Sequence, residues 1–276
     1  MTLSHSDPAY VVTIGASAGG LNALSVILAA LPQDFPAPVL VVQHLSPDFP
    51  SKMVHILGRL TSLPVKEAEE GDCIQAGHVY VAPPAKHLLV NPDLTLSLSL
   101  SPKVHHCRPS VDVLFRSAAI SCGTSAIGVV LTGGDGDGSA GIHAIKAAGG
   151  ITMAQDLPSS EQPSMPRSAA ATGNVDYVLP LSEIAAALVA LVSSNESSAS
   201  SRDGSSEGSD RGTRAEQTPT LLDKAVADLA VCGEALRVAE EALRVQSDVI
   251  TSYILALKAE AKARPAIKVI PTILPS

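Results

Sequence analysis

The sequence predicts an α/β domain on a doubly wound, mostly parallel sheet with an inserted hairpin, and three observations carry that prediction. Short β-branched runs alternate with Ala/Leu-rich helical stretches from Tyr10 to about Val192, the signature of strands joined by crossover helices. Aromatic residues make up only 3% of the chain and Trp is absent, so the core must be aliphatic, which suits a parallel sheet buried under helices. Two glycine-rich segments, IGASAGG and GGDGDGSAG, each lead from an apolar run into a helical one.

In chain order, YVVTI is followed by the helical LNALSVILAAL and by PVLVVQH; later AIGVVLT, GIHAIKAAG, ITMAQ and SEIAAALVALV continue the alternation. Between them HVYVAP, HLLV and LTLSLSL are separated by Pro, Asn and Asp, turn residues that mark an inserted hairpin or edge addition. This domain is expected to span residues 8–192. From Ser193 the composition changes to SSNESSASSRDGSSEGSDRGTR, which has almost nothing to bury, so 193–218 reads as a flexible linker. In the helical segment 219–263, Leu222, Leu229, Leu236, Leu243, Ile250 and Leu257 recur every seven residues. A homodimeric coiled coil and docking on a partner helix both account for such a seam, as does a helix lying on its own domain. The Pro-containing tail, 264–276, ends any helix.

With 46% apolar residues in 276, the chain can bury one sizeable core. The net charge of −8 argues against nucleic acid or an anionic membrane as main partner, since both need a positive field. No basic, apolar leader and no run of about 18 apolar residues is found; the expectation is a cytoplasmic protein without membrane insertion. Cys73, Cys107, Cys122 and Cys232 form no C-x-x-C pair and lack histidines at metal-ligand spacing, so they read as small buried apolar groups.

The first glycine turn admits two chemistries. A dinucleotide loop needs G-x-G-x-x-G and an acidic residue ending the second strand, but Ser17 replaces the middle glycine and Gln43-His44 ends that strand. Gly15-Ala16-Ser17-Ala18-Gly19 instead satisfies G-x-S-x-G, in which flanking glycines allow a tight strand-to-helix turn that presents the serine at a helix N-terminus. The N–H groups and positive dipole there suit an oxyanion. In an open parallel sheet adjacent strands deliver their C-terminal residues to one crevice, which makes His44 the candidate base; His5, His55, His78, His87, His105, His106 and His143 lie in the tail, in helical stretches or near the hairpin. Asp135 and Asp137, in the second glycine turn, are candidates to orient the imidazole. Asp137 is preferred because it sits at a helix entry before Gly138. Simple capping of that helix remains an alternative; a calcium loop counted from Asp135 has Lys146 where Glu is required.

Taken together, IGASAGG at 14–20, VVQHLSPDFPS at 41–51, RPSVDVLFRSAA at 108–119, LTGGDGDGSAG at 131–141 and MPRSA at 165–169 resemble the catalytic domain of CheB-type chemotaxis methylesterases. The resemblance implies hydrolysis of glutamyl methyl esters on cytoplasmic chemoreceptor helices with release of methanol, and in many members deamidation of receptor glutamines. It places nucleophile, histidine and aspartate on Ser17, His44 and Asp137, with backbone N–H groups of Ala18 and Gly134 as the expected oxyanion hole and no metal or cofactor. Ala18 and Gly134 stand where the family often has Thr and Met. The resemblance begins near residue 8, without the receiver domain of the best-known members; the expectation is that linker and heptad helix serve as a localising or dimerising device instead. A rival reading is a non-catalytic adaptor that binds receptor or signalling partners through an inherited hydrolase fold.

Overall fold

In the computed structural model of the chain, residues 8–44 and 52–193 are described; most of the linker, the heptad helix and the tail expected beyond Val192, and segment 45–51, lie outside them. The elements run β1 (Val11–Ala16), α1 (Gly20–Ala30), β2 (Val39–Gln43), α2 (Met53–Leu57), β3 (Val65–Glu67), β4 (Val79–Val81), β5 (His87–Val90), β6 (Leu96–Ser99), α3 (Val111–Cys122), β7 (Ala126–Val130), α4 (Ser139–Ala147), β8 (Ile151–Gln155), α5 (Ser164–Ala171), β9 (Tyr177–Leu179) and α6 (Leu181–Ser193). Seven strands form one sheet in the order β3-β4-β2-β1-β7-β8-β9, every pairing parallel.

Every residue of β1, β2 and β7 is buried, because helices cover both faces and leave no solvent side for polar alternation. The side chains still alternate. Val12, Ile14, Val39, Val41, Ile127 and Val129 pack with α1 and α6 on one face, while Val11, Leu40, Val42 and Val130 join Leu114, Phe115, Ile142 and Ile145 on the other. Burying one such side chain contributes about 1.5–3 kcal/mol, so the three central strands carry much of the hydrophobic stabilisation.

The hairpin is smaller than the sequence suggests. Only β5 and β6 form it, as an antiparallel pair; the VYV of HVYVAP is β4, a parallel strand of the main sheet. Three buried residues within a polar surround do not distinguish hairpin from inner strand by pattern. The hairpin is fastened to α3 at one residue: Ser117 Oγ accepts the Val90 N–H at 3.0 Å and Ser121 Oγ donates to the Val90 carbonyl at 2.8 Å. The two edge strands were not foreseen either. Both β3 and β9 have three residues, none buried, too few to show a period. Among the described residues, no helix is long and apolar enough to cross a membrane.

Candidate active site

Parallel register brings the ends of β1 and β2 side by side: Ala16 pairs with Gln43, and the His44 N–H donates to the Ala16 carbonyl at 3.0 Å. Ser17 and His44 are therefore the next residues out of adjacent strands, about 4.8 Å apart across a sheet. The loop after β7 closes the crevice, with the Ser17 N–H donating to the Thr132 carbonyl at 2.9 Å. This is beside the switch point of the sheet, where β1 is followed by β2 on one side and its neighbour β7 by β8 on the other, the place where open α/β sheets bind ligands.

The two glycines of G-x-S-x-G do different work. Gly19 caps α1 at φ 77, a left-handed conformation that side chains disfavour. Gly15 lies inside β1; a Cβ there would come within 2.2 Å of Val111, so it permits close approach of α3 and does not make the turn. Gln43, read in sequence only as the missing ribose acid, holds the nucleophile turn: its Nε2 donates to the Ser17 carbonyl at 2.7 Å and the His44 carbonyl at 3.1 Å. The Ser17 hydroxyl itself makes no hydrogen bond among the described residues. The Ala18 and Gly134 N–H groups likewise have no acceptor among them, and a Cβ at Gly134 would meet open space.

His44 Nε2 lies 2.9 Å from Asp137 Oδ2. Asp137 is fully buried and takes three further hydrogen bonds, from Val111 N at 2.7 Å, Asp112 N at 3.0 Å and Ser110 Oγ at 2.9 Å. These are the N-terminus of α3, so Asp137 is a cap, but of a helix 26 residues upstream in sequence and not of α4, which begins behind Gly138. Burial works to raise the Asp137 carboxyl; hydrogen bonds from His44, Asp112, Val111 and Ser110 outweigh it and hold the group below the ordinary carboxylate value. The carboxylate is thus charged and the proton on His44 belongs to Nε2, which leaves Nδ1 as the basic nitrogen. The ring is turned end for end relative to the serine-protease arrangement, where Nδ1 meets the aspartate.

Asp112 returns the contact. Its Oδ1 accepts Gly138 N at 3.0 Å and Gly141 N at 2.7 Å, the first turn of α4, so each of the two buried aspartates caps the helix at whose start the other stands. Burial, reinforced by the charge of Asp137, holds Asp112 above the ordinary value. His87 is a satisfied core residue: Nε2 donates to the Pro102 carbonyl at 3.2 Å, Nδ1 accepts Ser110 N at 3.2 Å, and burial pushes its pKa down. Ser110, Asp112 and Gln43 are the supporting residues that sequence reasoning missed, and RPSVD was the signal that pointed to the first two.

The matching profile, described as CheB methylesterase, covers residues 12–188. The chain belongs to the CheB methylesterase family. A protein of Leptospira interrogans provisionally named protein-glutamate methylesterase/protein-glutamine glutaminase is 44% identical over 184 residues, 67% of this chain and 95% of that protein. The protein-glutamate methylesterase FrzG of Myxococcus xanthus is 44% identical over 182 residues, 66% of this chain and 54% of FrzG. The crystal structure of the Thermotoga maritima CheB methylesterase catalytic domain superposes with a TM-score of 0.64 at 37% identity, covering 66% of this chain and 98% of that one. The matched range, 12–188, includes the residues that build the crevice.

On the far side of His44, Nδ1 faces Cys107 Sγ at 3.6 Å and Asp135 Oδ2 at 3.5 Å. Burial foremost, then the charge of Asp135, pushes the Cys107 thiol up to about 12. The reading of the cysteines as buried apolar groups is corrected here: Cys73 is exposed, Cys107 and Cys122 are partly exposed, and Cys107 lies in a polar cluster. Cys232 falls outside the described residues.

Gly133 tests how tightly the crevice is built. A Cβ there would lie 1.9 Å from Met165 Sδ and 2.9 Å from Ser17 Cβ, and Met165 is fully buried with little room to yield. Gly133→Ala is expected to cost about 1–3 kcal/mol of stability through overpacking and to lower ester turnover at least tenfold by displacing Ser17. Thermal unfolding and turnover at saturating substrate check both.

Proposed function

We propose that this methylesterase hydrolyses glutamyl methyl esters on the cytoplasmic domains of methylated chemoreceptors, with Ser17 as nucleophile, His44 as base and Asp137 as the carboxylate that orients it. One observation carries the assignment: a charged, fully buried carboxylate hydrogen-bonds one nitrogen of a histidine whose strand ends beside a serine that stands at a helix N-terminus with no hydroxyl hydrogen bond among the described residues. Catalytic hydrogen bonds commonly tighten only when substrate binds, and the hydroxyl and Nδ1 are expected to meet in the substrate complex.

In the reaction, Nδ1 takes the Ser17 proton as Oγ attacks the ester carbonyl. The Ala18 and Gly134 N–H groups stabilise the oxyanion; losing one such donor typically costs about 3–4 kcal/mol of barrier. Methanol leaves with the proton from Nδ1, and water, deprotonated by the same nitrogen, releases glutamate and restores Ser17. A glutamine side chain would follow the same course with ammonia leaving, an activity the names of the Leptospira and Burkholderia pseudomallei relatives include. The cytoplasm is the compartment this substrate requires, and the recurrence of Leu222, Leu229, Leu236, Leu243, Ile250 and Leu257 every seven residues in the sequence is the pattern a second copy or a partner helix would match.

Incubation of the purified protein with a methylated receptor signalling domain is expected to release methanol, and a fluorophosphonate probe to label Ser17 covalently. Labelling confined to another residue, or no methanol from any methylated receptor, overturns the assignment; the adaptor reading expects both assays to be silent.

A further inference from the structure

The atoms around Nδ1 of His44 form a triangle whose size is informative. Cys107 Sγ to Nδ1 is 3.6 Å, Cys107 Sγ to Asp135 Oδ2 is 3.5 Å, and Nδ1 to Asp135 Oδ2 is 3.5 Å. Bonds of about 2.0–2.3 Å from a tetrahedral zinc ion place sulfur, nitrogen and oxygen ligands roughly 3.3–3.6 Å from one another. All three sides fit without rebuilding. The three side chains come from β2's end, the segment before α3 and the loop after β7, so their convergence is a property of the fold.

Chemistry narrows the ion further. A thiolate disfavours magnesium and calcium, whereas imidazole, thiolate and carboxylate together suit zinc. Thiolate and carboxylate would neutralise a divalent charge. The opposite nitrogen of His44 is already held by the buried Asp137 carboxylate, the arrangement that fixes ring orientation and raises basicity in zinc-binding histidines. A fourth position opens toward a pocket lined by Ala85, Lys103, His106, Arg108 and Pro109, which leaves a path for ion and water.

We propose that His44, Cys107 and Asp135 form a zinc site, and that zinc there is a reversible inhibitor because it occupies the nitrogen that Ser17 needs. Coordination replaces the Cys107 S–H bond by S–Zn and sends one proton to solvent. The inhibitory half rests on His44 being the base; the binding half does not.

The test titrates chelator-treated full-length protein with cobalt(II) as a spectroscopic stand-in for zinc. A near-ultraviolet thiolate-to-cobalt charge-transfer band is expected in the wild type and in Ser17→Ala, displaced by zinc, and absent in Cys107→Ser. In ester turnover, zinc should inhibit the wild type and a chelator restore it. Cys107→Ser, measured against its own metal-free rate, should need at least about 10–100-fold more zinc for the same fractional inhibition, since losing a ligand costs no less than losing a group behind one. Absence of the band in folded wild type overturns the site. Equal zinc sensitivity in Cys107→Ser, or undiminished turnover with the band fully developed, overturns the inhibition. A band in Ser17→Ala alongside unaltered hydrolysis by that variant would instead refute the serine mechanism and leave the metal site standing.

Discussion

Ser17→Ala should lower methanol release at saturating substrate by a factor of about 10³ or more while leaving the unfolding temperature within a degree or so of wild type. The large kinetic effect follows from losing the attacking atom: the surviving N–H groups at Ala18 and Gly134 can polarise a carbonyl but cannot form an acyl-enzyme. The small effect on stability follows from the structure. The Ser17 hydroxyl makes no hydrogen bond among the described residues, and the alanine keeps the Cβ that lies against Gly133. The backbone contacts that shape the turn, to Thr132 and Gln43, do not involve the side chain. Turnover within tenfold of wild type would remove Ser17 from the mechanism.

Asp137→Asn is expected to damage both catalysis and folding. Each carboxylate oxygen accepts a backbone N–H of α3, Oδ2 from Val111 and Oδ1 from Asp112. An asparagine has one acceptor oxygen, so whichever way its amide is turned, an NH₂ meets a buried N–H donor. One unsatisfied buried donor costs about 1–3 kcal/mol, and the lost charge at the helix N-terminus adds to it. Catalysis falls by about 10⁴-fold if the histidine tautomer depends on this carboxylate as in the serine-protease template.

The same substitution alters stability against pH. The folded Asp137 carboxyl lies below its ordinary value of 3.8, so its contribution is complete above that value and is lost as pH falls through the lower, folded one. Wild type should lose stability over that acid interval; the variant should start lower and lose less. Denaturant unfolding at a series of pH values measures both, and parallel curves would exclude Asp137 as the group responsible. Asp112, held above its ordinary value by burial and by the Asp137 charge, titrates in the opposite sense, and losing that charge in the variant lowers it toward the ordinary value.

The strands that were read from sequence are those of five or six residues with four or more buried, β1, β2, β7 and β8, whose apolar runs exceed what a turn or loop sustains. The strands that were missed or misplaced, β3, β4 and β9, have three residues each and owe their pairing to neighbours brought in by the rest of the chain. Ser17 and His44 were legible because strand ends carry them: once β1 and β2 are adjacent and parallel, the crevice follows. Asp137 was chosen over Asp135 for its place at the entry to α4, yet it is buried because α3 needs an anion at its N-terminus. Nothing local to the second glycine turn reveals that.

Sequence alone thus determined the aliphatic parallel sheet, the strand-to-helix turn that presents Ser17 and the strand end that presents His44, since these depend on periodicity and on residues close along the chain. Only tertiary structure decided that Asp137 and Asp112 exchange caps between α3 and α4, that Gln43 holds the nucleophile turn, which nitrogen of His44 is free, and that Cys107 and Asp135 stand beside it. Those contacts join residues 25 or more apart in sequence, whose pairing leaves no periodic trace because it is set by the packing of whole helices against the sheet.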